Sequence, residues 1–283
     1  MVAALVDSVQ STAGCCLLDV HSDPDHNRSV ITFAGSAAAV QRGAVALALA
    51  SVSLLDLRGH TGVHPRIGAL DVMPFVPLGE TTMDTCVALA RDVAAEVAGA
   101  ARLPVYLYGE AAPPGSMRTL AGLRAGGFEA LLTDGLREPP DFGPAAVHGT
   151  AGAVAIGARR PLVAFNLLLD SPDVAVARRV ARAVRESSGG IPGVQALGLA
   201  LASRGQAQVS MNLLNPGPDS IAVALSAVSR AAEDFGCRVV EAELVGLAPA
   251  DALSRRPAAD LPGLPDASRT IEARLALCDP PAG

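Results

Sequence analysis

The fold is decided by residues 162–214, which read LVAFNLLLDSPDVAVARRVARAVRESSGGIPGVQALGLALASRGQAQVSMNLL. An apolar run at 162–169 predicts a buried strand, and the pattern after Pro172 predicts a helix that ends before a Ser-Ser-Gly-Gly turn. Two further apolar runs, at 197–201 and 206–212, predict two more strands. The segment therefore contains the first four elements of a split βαβ unit.

The flanking sequence completes this unit and repeats it. A predicted helix at 220–236 and a strand at 238–245 give the order strand, helix, strand, strand, helix, strand. The first half shows the same cycle, from a helix at 2–10 onward, but lacks the opening strand. We predict an α+β fold of two ferredoxin-like subdomains (a duplicated split βαβ), at residues 1–158 and 159–283.

Composition narrows the class of protein. The chain has 283 residues, of which 50% are hydrophobic and 18% charged, which is enough to bury a sizeable core. Its 22 basic residues are all Arg, against 28 acidic residues, and the net charge of -6 argues against a nucleic-acid partner. No uninterrupted apolar run reaches the roughly 18 residues of a membrane span, and residues 1–10 contain no positively charged n-region, so we expect no signal peptide.

The cysteines predict a cytoplasmic protein. There are five of them, and no Cys-x-x-Cys pair that would indicate a zinc ribbon or a thioredoxin-like site. An odd number without framework spacing is typical of a reducing compartment. Sequence signatures of a P-loop, of an α/β-hydrolase elbow and of a dinucleotide-binding loop are also absent.

The densest polar segment is the loop at residues 60–71, which reads HTGVHPRIGALD. A loop this polar, between two apolar elements, is a natural place for a functional site. His60 and His64 have the spacing of two metal ligands on a helix, but Gly62 and Pro65 disfavour a helix there. The alternative is that both histidines hydrogen-bond within a packed loop, and we expect no metal.

Two other polar segments are candidates. Residues 21–28 follow a predicted buried strand, where binding groups are common. Their Asp-x-Asp pair suggests calcium only weakly, since the Gly and distal Glu of an EF-hand are missing, and an ordinary turn is the alternative. The segment from Asp141 to Gly152 contains glycines and His148, which would let backbone approach a flat ligand; a domain linker is the alternative.

The extended loop, HTGVHPRIGALDVMPFVP at residues 60–77, resembles the signature of the glutamate formiminotransferases. Other segments resemble the same family in the same order: residues 17–20, 22–30, 104–108, 140–144, 164–166, 184–190, 208–213 and 243–247. The resemblance therefore spans nearly the whole chain, and several long motifs in register are more specific than any single one.

This resemblance implies a homodimer that transfers the formimino group from N-formimino-L-glutamate to tetrahydrofolate, a late step of histidine breakdown. It implies two ferredoxin-like subdomains with a tunnel between them, and tetrahydrofolate as a co-substrate without a metal. The family's catalytic His falls on His64. Its folate-contacting residues fall on Arg182 and on Gly143, Pro144, Ala145, Ala146, Val147, His148, Gly149, Thr150, Ala151 and Gly152.

The chemistry suits these positions. A His titrates near neutrality and can both accept and return a proton, and Pro65 restricts the backbone of His64. Asp71 and His21 are candidates for catalytic support, and Arg28 and Arg66 are candidates for clamping the anionic substrates.

Two departures from the family leave alternatives open. The family usually has Asp where His21 stands, and Met1 aligns with the start of the family's first helix, after its opening strand. Either the start codon lies upstream, or the chain is a diverged relative. The alternatives are a non-catalytic folate-binding homologue and an enzyme that handles formyl rather than formimino groups.

Overall fold

The computed structural model describes residues 1–116, 118–255 and 260–278. These form two compact units. Unit 1 comprises Met1–Leu17 and Phe33–Arg160, and unit 2 comprises Leu18–Thr32 and the described residues from Pro161 onward. The structure thus has the mixed helix and sheet content that the sequence predicts. The predicted boundary between the two subdomains, at 158/159, stays a prediction. The last five residues of the predicted second subdomain, 279–283, lie outside the described residues.

Unit 2 contains the split βαβ order that its sequence predicts. Its elements are β6 (Leu162–Leu169), α6 (Val174–Val184), β7 (Val194–Leu201), β8 (Gln206–Leu214), α7 (Ser220–Asp234) and β9 (Val239–Val245). The four strands form one antiparallel sheet in the order β7-β8-β6-β9. The first strand of the unit therefore lies between its third and fourth strands, as in a ferredoxin-like fold.

Helices α6 and α7 cover the same face of this sheet. Alternate strand residues such as Phe165, Val209 and Leu244 are buried in one core with apolar residues of α6 and α7. Because successive strand residues point to opposite faces, their neighbours Asn166, Gln208 and Glu243 belong to the face opposite α6 and α7. Polar side chains therefore follow one another across that second face.

Unit 1 is built around a parallel sheet. Its strands are β3 (Val72–Phe75), β4 (Val105–Gly109) and β5 (Val154–Ala158), in the order β3-β5-β4. The helices α1 (Val2–Gln10), α2 (Ala37–Leu54) and α3 (Met83–Ala101) belong to the same unit, and α2 and α3 share its main core with the sheet. Ser36 caps α2 and Thr82 caps α3, each accepting a hydrogen bond from a first-turn backbone N–H.

A hairpin of β1 (Cys15–Asp23) and β2 (Arg28–Gly35) forms a separate two-stranded sheet. The first-half order α1-β1-β2-α2-β3 is the predicted cycle, with no described strand before α1. In unit 2 the first strand, β6, pairs with both the third strand, β8, and the fourth strand, β9, and so places them in one sheet. In the first half the strands that correspond to the third and fourth are β2 and β3, and these belong to two different sheets.

The segment from 110 to 140, which contains several prolines and glycines, includes two short helices. They are α4 (Leu120–Leu123) and α5 (Gly127–Asp134). Thr119 caps α4 through its hydroxyl, and α5 buries Phe128 and Leu131. The tail contains a 3-10 turn at Ala267–Arg269 followed by α8 (Ile271–Leu275).

Among the described helices, α2 is the one that is long and apolar enough to cross a membrane by composition. Part of it is buried inside unit 1, including Ala44, Ala48 and Ser51. Core helices of proteins that never enter a membrane meet the same criterion.

Candidate active site

The loop that carries His64 connects α2, through a 3-10 turn at Leu57–Gly59, to β3. His64 itself is half-buried, between exposed Val63 and exposed Pro65. The loop has no regular secondary structure, so its backbone groups need other partners. Side chains within and beside the loop provide several of them.

Asp71 organises the C-terminal end of this loop. Its Oδ1 accepts a hydrogen bond of 2.8 Å from the backbone N–H of Ile67, and its Oδ2 accepts one of 2.8 Å from Nε of Arg124. Both charged side chains are about four-fifths buried, with exposed fractions of 18% for Asp71 and 20% for Arg124. The carboxylate therefore folds the loop back toward β3 and fixes it to the segment that contains α4.

Arg66 holds the middle of the same loop. Its guanidinium donates to the backbone carbonyl of His60 over 2.8 Å and forms an ion pair of 2.7 Å with Glu129 of α5. The ion pair holds the pKa of the Glu129 carboxyl below its ordinary value. These contacts engage the Arg66 side chain within unit 1, and its role as an anion clamp stays a prediction.

The predicted folate-contacting segment lies directly beside this loop. Gly68 pairs with Gly152 in an antiparallel bridge. The backbone N–H of Ala69 donates to the carbonyl of Ala151 over 3.0 Å, and that of Ala153 donates to the carbonyl of Ile67 over 2.9 Å. The structure therefore brings the predicted catalytic loop and the end of the predicted folate segment together within unit 1.

This close pairing requires glycine at both bridge positions. A Cβ on Gly68 would lie 1.8 Å from the carbonyl oxygen of Ala153, and one on Gly152 would lie 2.0 Å from that of Ile67. Gly152 also has a φ of +71°, which side chains disfavour. The Gly-Ala at 68–69 and the Ala-Gly at 151–152 thus let two backbones approach each other.

His148 closes the turn of the folate segment. Its Nδ1 accepts hydrogen bonds from the backbone N–H of Ala151 at 3.1 Å and of Thr150 at 3.4 Å. Since Nδ1 is the acceptor, the remaining hydrogen of the neutral ring is on Nε2. Gly143 is at the other end of the segment. A Cβ on this residue would lie 2.3 Å from the carbonyl oxygen of Leu103, so the two backbones are close there as well.

Among the described residues, no three His, Cys, Asp or Glu side chains come together as metal ligands. The two carboxylates of the 21–28 segment are both engaged by the protein. Asp23 accepts from Nδ1 of the buried His26 at 2.6 Å, and Asp25 accepts from the backbone N–H of Ser203 at 3.0 Å. The Asp-x-Asp pair is therefore part of a hydrogen-bonded turn.

Comparisons with known proteins give the family of the chain. Residues 1–159 match the formiminotransferase domain, N-terminal subdomain, and residues 164–259 match the formiminotransferase domain. The chain belongs to the formiminotransferase family. The resemblance inferred from the sequence is confirmed, and membership makes the chain a transferase.

Individual relatives extend the formiminotransferase match along most of the chain. A glutamate formimidoyltransferase of Streptococcus pyogenes serotype M1 is 38% identical over 255 residues, covering 89% of this chain and 85% of the relative. One of Thermoplasma acidophilum is 41% identical over 251 residues, covering 87% and 82%. The formimidoyltransferase-cyclodeaminase of Rattus norvegicus is 40% identical over 263 residues, which cover 89% of this chain and 48% of that protein.

The other predicted residues of this formiminotransferase lie in unit 2. His21 is on β1, and its Nε2 lies 3.2 Å from Oε1 of Glu243. Arg28 is half-buried at the start of β2. Arg182 is exposed on α6, which covers the opposite face of the sheet from Glu243. Unit 2 by itself therefore does not bring Arg182 and His21 together.

Sequence reasoning missed the partners of these residues. Asn166 donates to Oε2 of Glu243 over 2.9 Å, so Glu243 joins His21 to Asn166. Arg124 and Glu129, which hold the loop of His64, were also missed. A signal existed for Asn166, because it interrupts an otherwise apolar strand, where a buried polar group needs a partner. No comparable signal marks Glu243, which shares its strand with Glu241, or Arg124 and Glu129, which lie in and beside the short helices α4 and α5.

Proposed function

We propose that the chain is a glutamate formimidoyltransferase, which transfers the formimino group of N-formimino-L-glutamate to N5 of tetrahydrofolate. The products are 5-formiminotetrahydrofolate and L-glutamate. The observation that carries the proposal is the backbone pairing of the His64 loop with the Ala151–Gly152 segment. Relatives that are named glutamate formimidoyltransferase and cover most of the chain support it.

The reaction needs one group that moves a proton. N5 of tetrahydrofolate attacks the formimino carbon, and the proton on N5 must leave as the new C–N bond forms. The bond from this carbon to the glutamate nitrogen then breaks, and that nitrogen must gain a proton. We assign both transfers to the imidazole of His64, whose type of side chain titrates near neutrality.

The surroundings of His64 suit this role. Asp71 and Arg66 fix the loop on both sides of the residue, and Pro65 limits its backbone to extended conformations. Rigid placement of a catalytic group lowers the barrier because little ordering remains to be done on binding. Gly149 of the folate segment is exposed, and a Cβ there would meet nothing within 4 Å, so its backbone is open to a flat pterin.

The substrates are anions, which indicates arginine as their partner. Both the glutamate product and the folate tail carry carboxylates, and a guanidinium binds a carboxylate through two parallel hydrogen bonds. Arg28 and Arg182 remain candidates for this contact, together with Arg66, whose guanidinium already binds Glu129.

The test of the proposed function is His64→Ala in a formimino-transfer assay. We expect turnover to fall by about two to four orders of magnitude, as loss of a general acid/base typically causes. Equilibrium binding of 5-formyltetrahydrofolate should survive, because the imidazole is assigned to proton transfer and not to folate affinity. His60→Gln in the same loop is the matched control and is expected to keep turnover. Near-wild-type turnover of His64→Ala would contradict the assignment.

A second candidate function rests on His21. Because the family usually has Asp at this position, a diverged homologue that binds folate without transferring a group is the alternative. Titration with 5-formyltetrahydrofolate beside transfer assays with formimino and formyl donors separates the cases. Binding without either transfer supports the diverged homologue, and transfer of formyl alone supports an altered donor.

We also propose that the protein is a homodimer in the cytoplasm, as the resemblance to the family implies. Sedimentation velocity at micromolar concentration tests the first part, and cell fractionation tests the second. A purely monomeric species across the concentration range would contradict the dimer.

A further inference from the structure

Three side chains of unit 2 form a chain of hydrogen bonds that the proposed function does not yet use. Asn166 on β6 donates to Oε2 of Glu243 on β9 over 2.9 Å, and Oε1 of Glu243 lies 3.2 Å from Nε2 of His21 on β1. Asn166 and Glu243 are directly paired neighbours in the sheet, on the face opposite α6 and α7. The hairpin residue His21 lies against the same face.

The carboxylate decides where the proton of His21 lies. The hydrogen bond from His21 holds the pKa of the Glu243 carboxyl below its ordinary value of 4.5, so the group is ionised near neutrality. An ionised carboxylate can only accept hydrogen bonds. Nε2 of His21 therefore carries a hydrogen, and Nδ1 is the atom that gains or loses a proton.

The three side chains differ in how much of their surface is exposed to solvent. Asn166 is 2% exposed, whereas the side chains of Glu243 and His21 are 27% and 18% exposed. Among the described residues, Nδ1 of His21 has no hydrogen-bond partner within the protein. The buried Asn166 thus anchors Glu243, which in turn orients the imidazole with its second nitrogen available.

Other charges around the pair are already neutralised in part. The buried His26 of the hairpin acts on Glu243 and is itself paired with Asp23. Arg204, from the turn between β7 and β8, also faces Glu243 but is paired with Glu241. The direct partner that distinguishes Glu243 from Glu241 is therefore His21.

We propose that Glu243, anchored by Asn166, is a positioning residue that makes His21 an acid–base group of the formimino transfer, acting through Nδ1. This inference rests on the proposed function. In the step, His64 carries the proton from N5 to the leaving glutamate nitrogen, and Nδ1 of His21 serves the imino nitrogen of the formimino group. The His21 imidazolium, stabilised by the Glu243 carboxylate, donates its proton to that nitrogen as N5 attacks and takes it back as the bond from the formimino carbon to the glutamate nitrogen breaks. The family usually has an Asp carboxylate where His21 stands; here the carboxylate of Glu243 acts on the reaction through the imidazole of His21.

The experiment compares Glu243→Gln with the matched control Glu241→Gln, two residues along the same strand and face. For Glu243→Gln we expect kcat/KM to fall about ten- to a hundredfold, mainly through kcat, as loss of a partner that orients a catalytic His causes. The dependence of kcat/KM on pH between 5 and 9 should also change in this variant, because the negative charge beside the His21 imidazole is removed. Glu241→Gln should match the wild type in both.

His21→Gln tests whether the imidazole acts chemically or only structurally. A Gln side chain keeps an N–H that can donate to Glu243 but has no nitrogen that titrates. We expect this variant to keep the wild-type Tm and its affinity for 5-formyltetrahydrofolate, with kcat reduced about tenfold or more. Wild-type kcat in His21→Gln would show that the pair is only structural and would overturn the inference.

Long-range 1H–15N spectra of His21 give a readout that needs no turnover. The wild type should show the hydrogen of the neutral ring on Nε2, and Glu243→Gln should show a mixture of both tautomers. A single Nδ1–H form in the wild type overturns the inference. If the wild type transfers the formimino group and Glu243→Gln has the same kcat/KM, the inference is overturned and the proposed function stands. If the wild type transfers no formimino group, the proposed function is overturned as well.

Discussion

At the scale of single residues, Gly68 and Gly152 decide whether the candidate site forms. Each fills a position where a methyl group would overlap a carbonyl oxygen of the opposite backbone. The pairing they permit places the loop of His64 beside the folate segment. Both glycines act by allowing two peptide chains to approach, and the predicted folate contact of Gly152 would add to this structural role.

Gly68→Ala is therefore expected to move the loop. Because the new Cβ would lie 1.8 Å from the carbonyl oxygen of Ala153, the bridge must open. We expect a loss of roughly 1–3 kcal/mol in the free energy of unfolding, typical of overpacking, and a larger proportional loss of kcat. Urea unfolding and the transfer assay measure the two effects. Gly59→Ala is the control, since a Cβ there meets nothing within 4 Å; equal effects of both variants would contradict the expectation.

Asp71 illustrates how the structure changes the interpretation of a polar residue. The sequence makes its carboxylate a candidate for catalytic support. In the structure it accepts hydrogen bonds from Ile67 N–H and from Arg124 within unit 1. Those contacts already give Asp71 a function in shaping the loop, and its catalytic role stays a prediction.

At the scale of elements, β7 and α6 of unit 2 are in unusually close contact. An ideal Cβ on Gly198 of β7 would lie 2.3 Å from the backbone nitrogen of Arg178 and 2.5 Å from the carbonyl carbon of Ala177. The helix backbone thus lies directly on the strand. A glycine at this point in the strand is what allows α6 to bury its apolar stripe against the sheet.

Gly198→Ala is expected to force α6 away from the sheet. The displaced helix would lose packing for Val176, Val180 and Val184, so we expect destabilisation of roughly 1–3 kcal/mol or more. Chemical denaturation followed by far-ultraviolet circular dichroism measures it. Gly217→Ala, where a Cβ meets nothing within 4 Å, serves as the control. An unchanged midpoint for Gly198→Ala would contradict the close packing.

Elements with strong periodicity could be predicted from the sequence, and those set by long-range contacts could not. The predicted helix at 2–10 and the strand at 162–169 match α1 and β6 residue for residue. The short helices α4 and α5 were missed because they have only four and eight residues and each contains a glycine. They form because Thr119 caps one and Phe128 anchors the other.

In the candidate site, too, the local motif could be predicted from the sequence and the long-range side-chain pairs could not. The motif around His64 predicts the family, because many residue types recur in one order along the chain. The joining of Asp71 to Arg124 and of His21 to Glu243 could not be predicted, since these partners are 53 and 222 positions apart. Such pairs depend on how strands and loops are arranged in space, which local pattern does not encode.

At the scale of the whole molecule, the shifted titrations predict how stability depends on pH. The carboxyls with a resolved shift all have lowered pKa values, with Arg, His or N–H and O–H donors as the main cause: Asp56, Glu129, Asp170, Glu243 and Asp266. For Asp56 the pKa is lowered to about 2 by its contact with Arg58. Burial raises the pKa of other groups, Tyr106 to about 12 and, in direction alone, Tyr108, Cys15, Cys86 and Cys237.

The sign follows from which state binds more protons. Below the unfolded carboxyl pKa values of 3.8 and 4.5, the unfolded chain takes up protons that the native protein does not, so stability is lost as pH falls through this range. Above the unfolded Cys and Tyr values of 9.0 and 10.0, the unfolded chain releases protons that the native protein retains, and stability is lost as pH rises. Urea midpoints at pH 3.5, 7 and 10.5 should therefore be highest at pH 7. A midpoint at pH 3.5 equal to that at pH 7 would mean that these carboxylates are not held by their partners in solution.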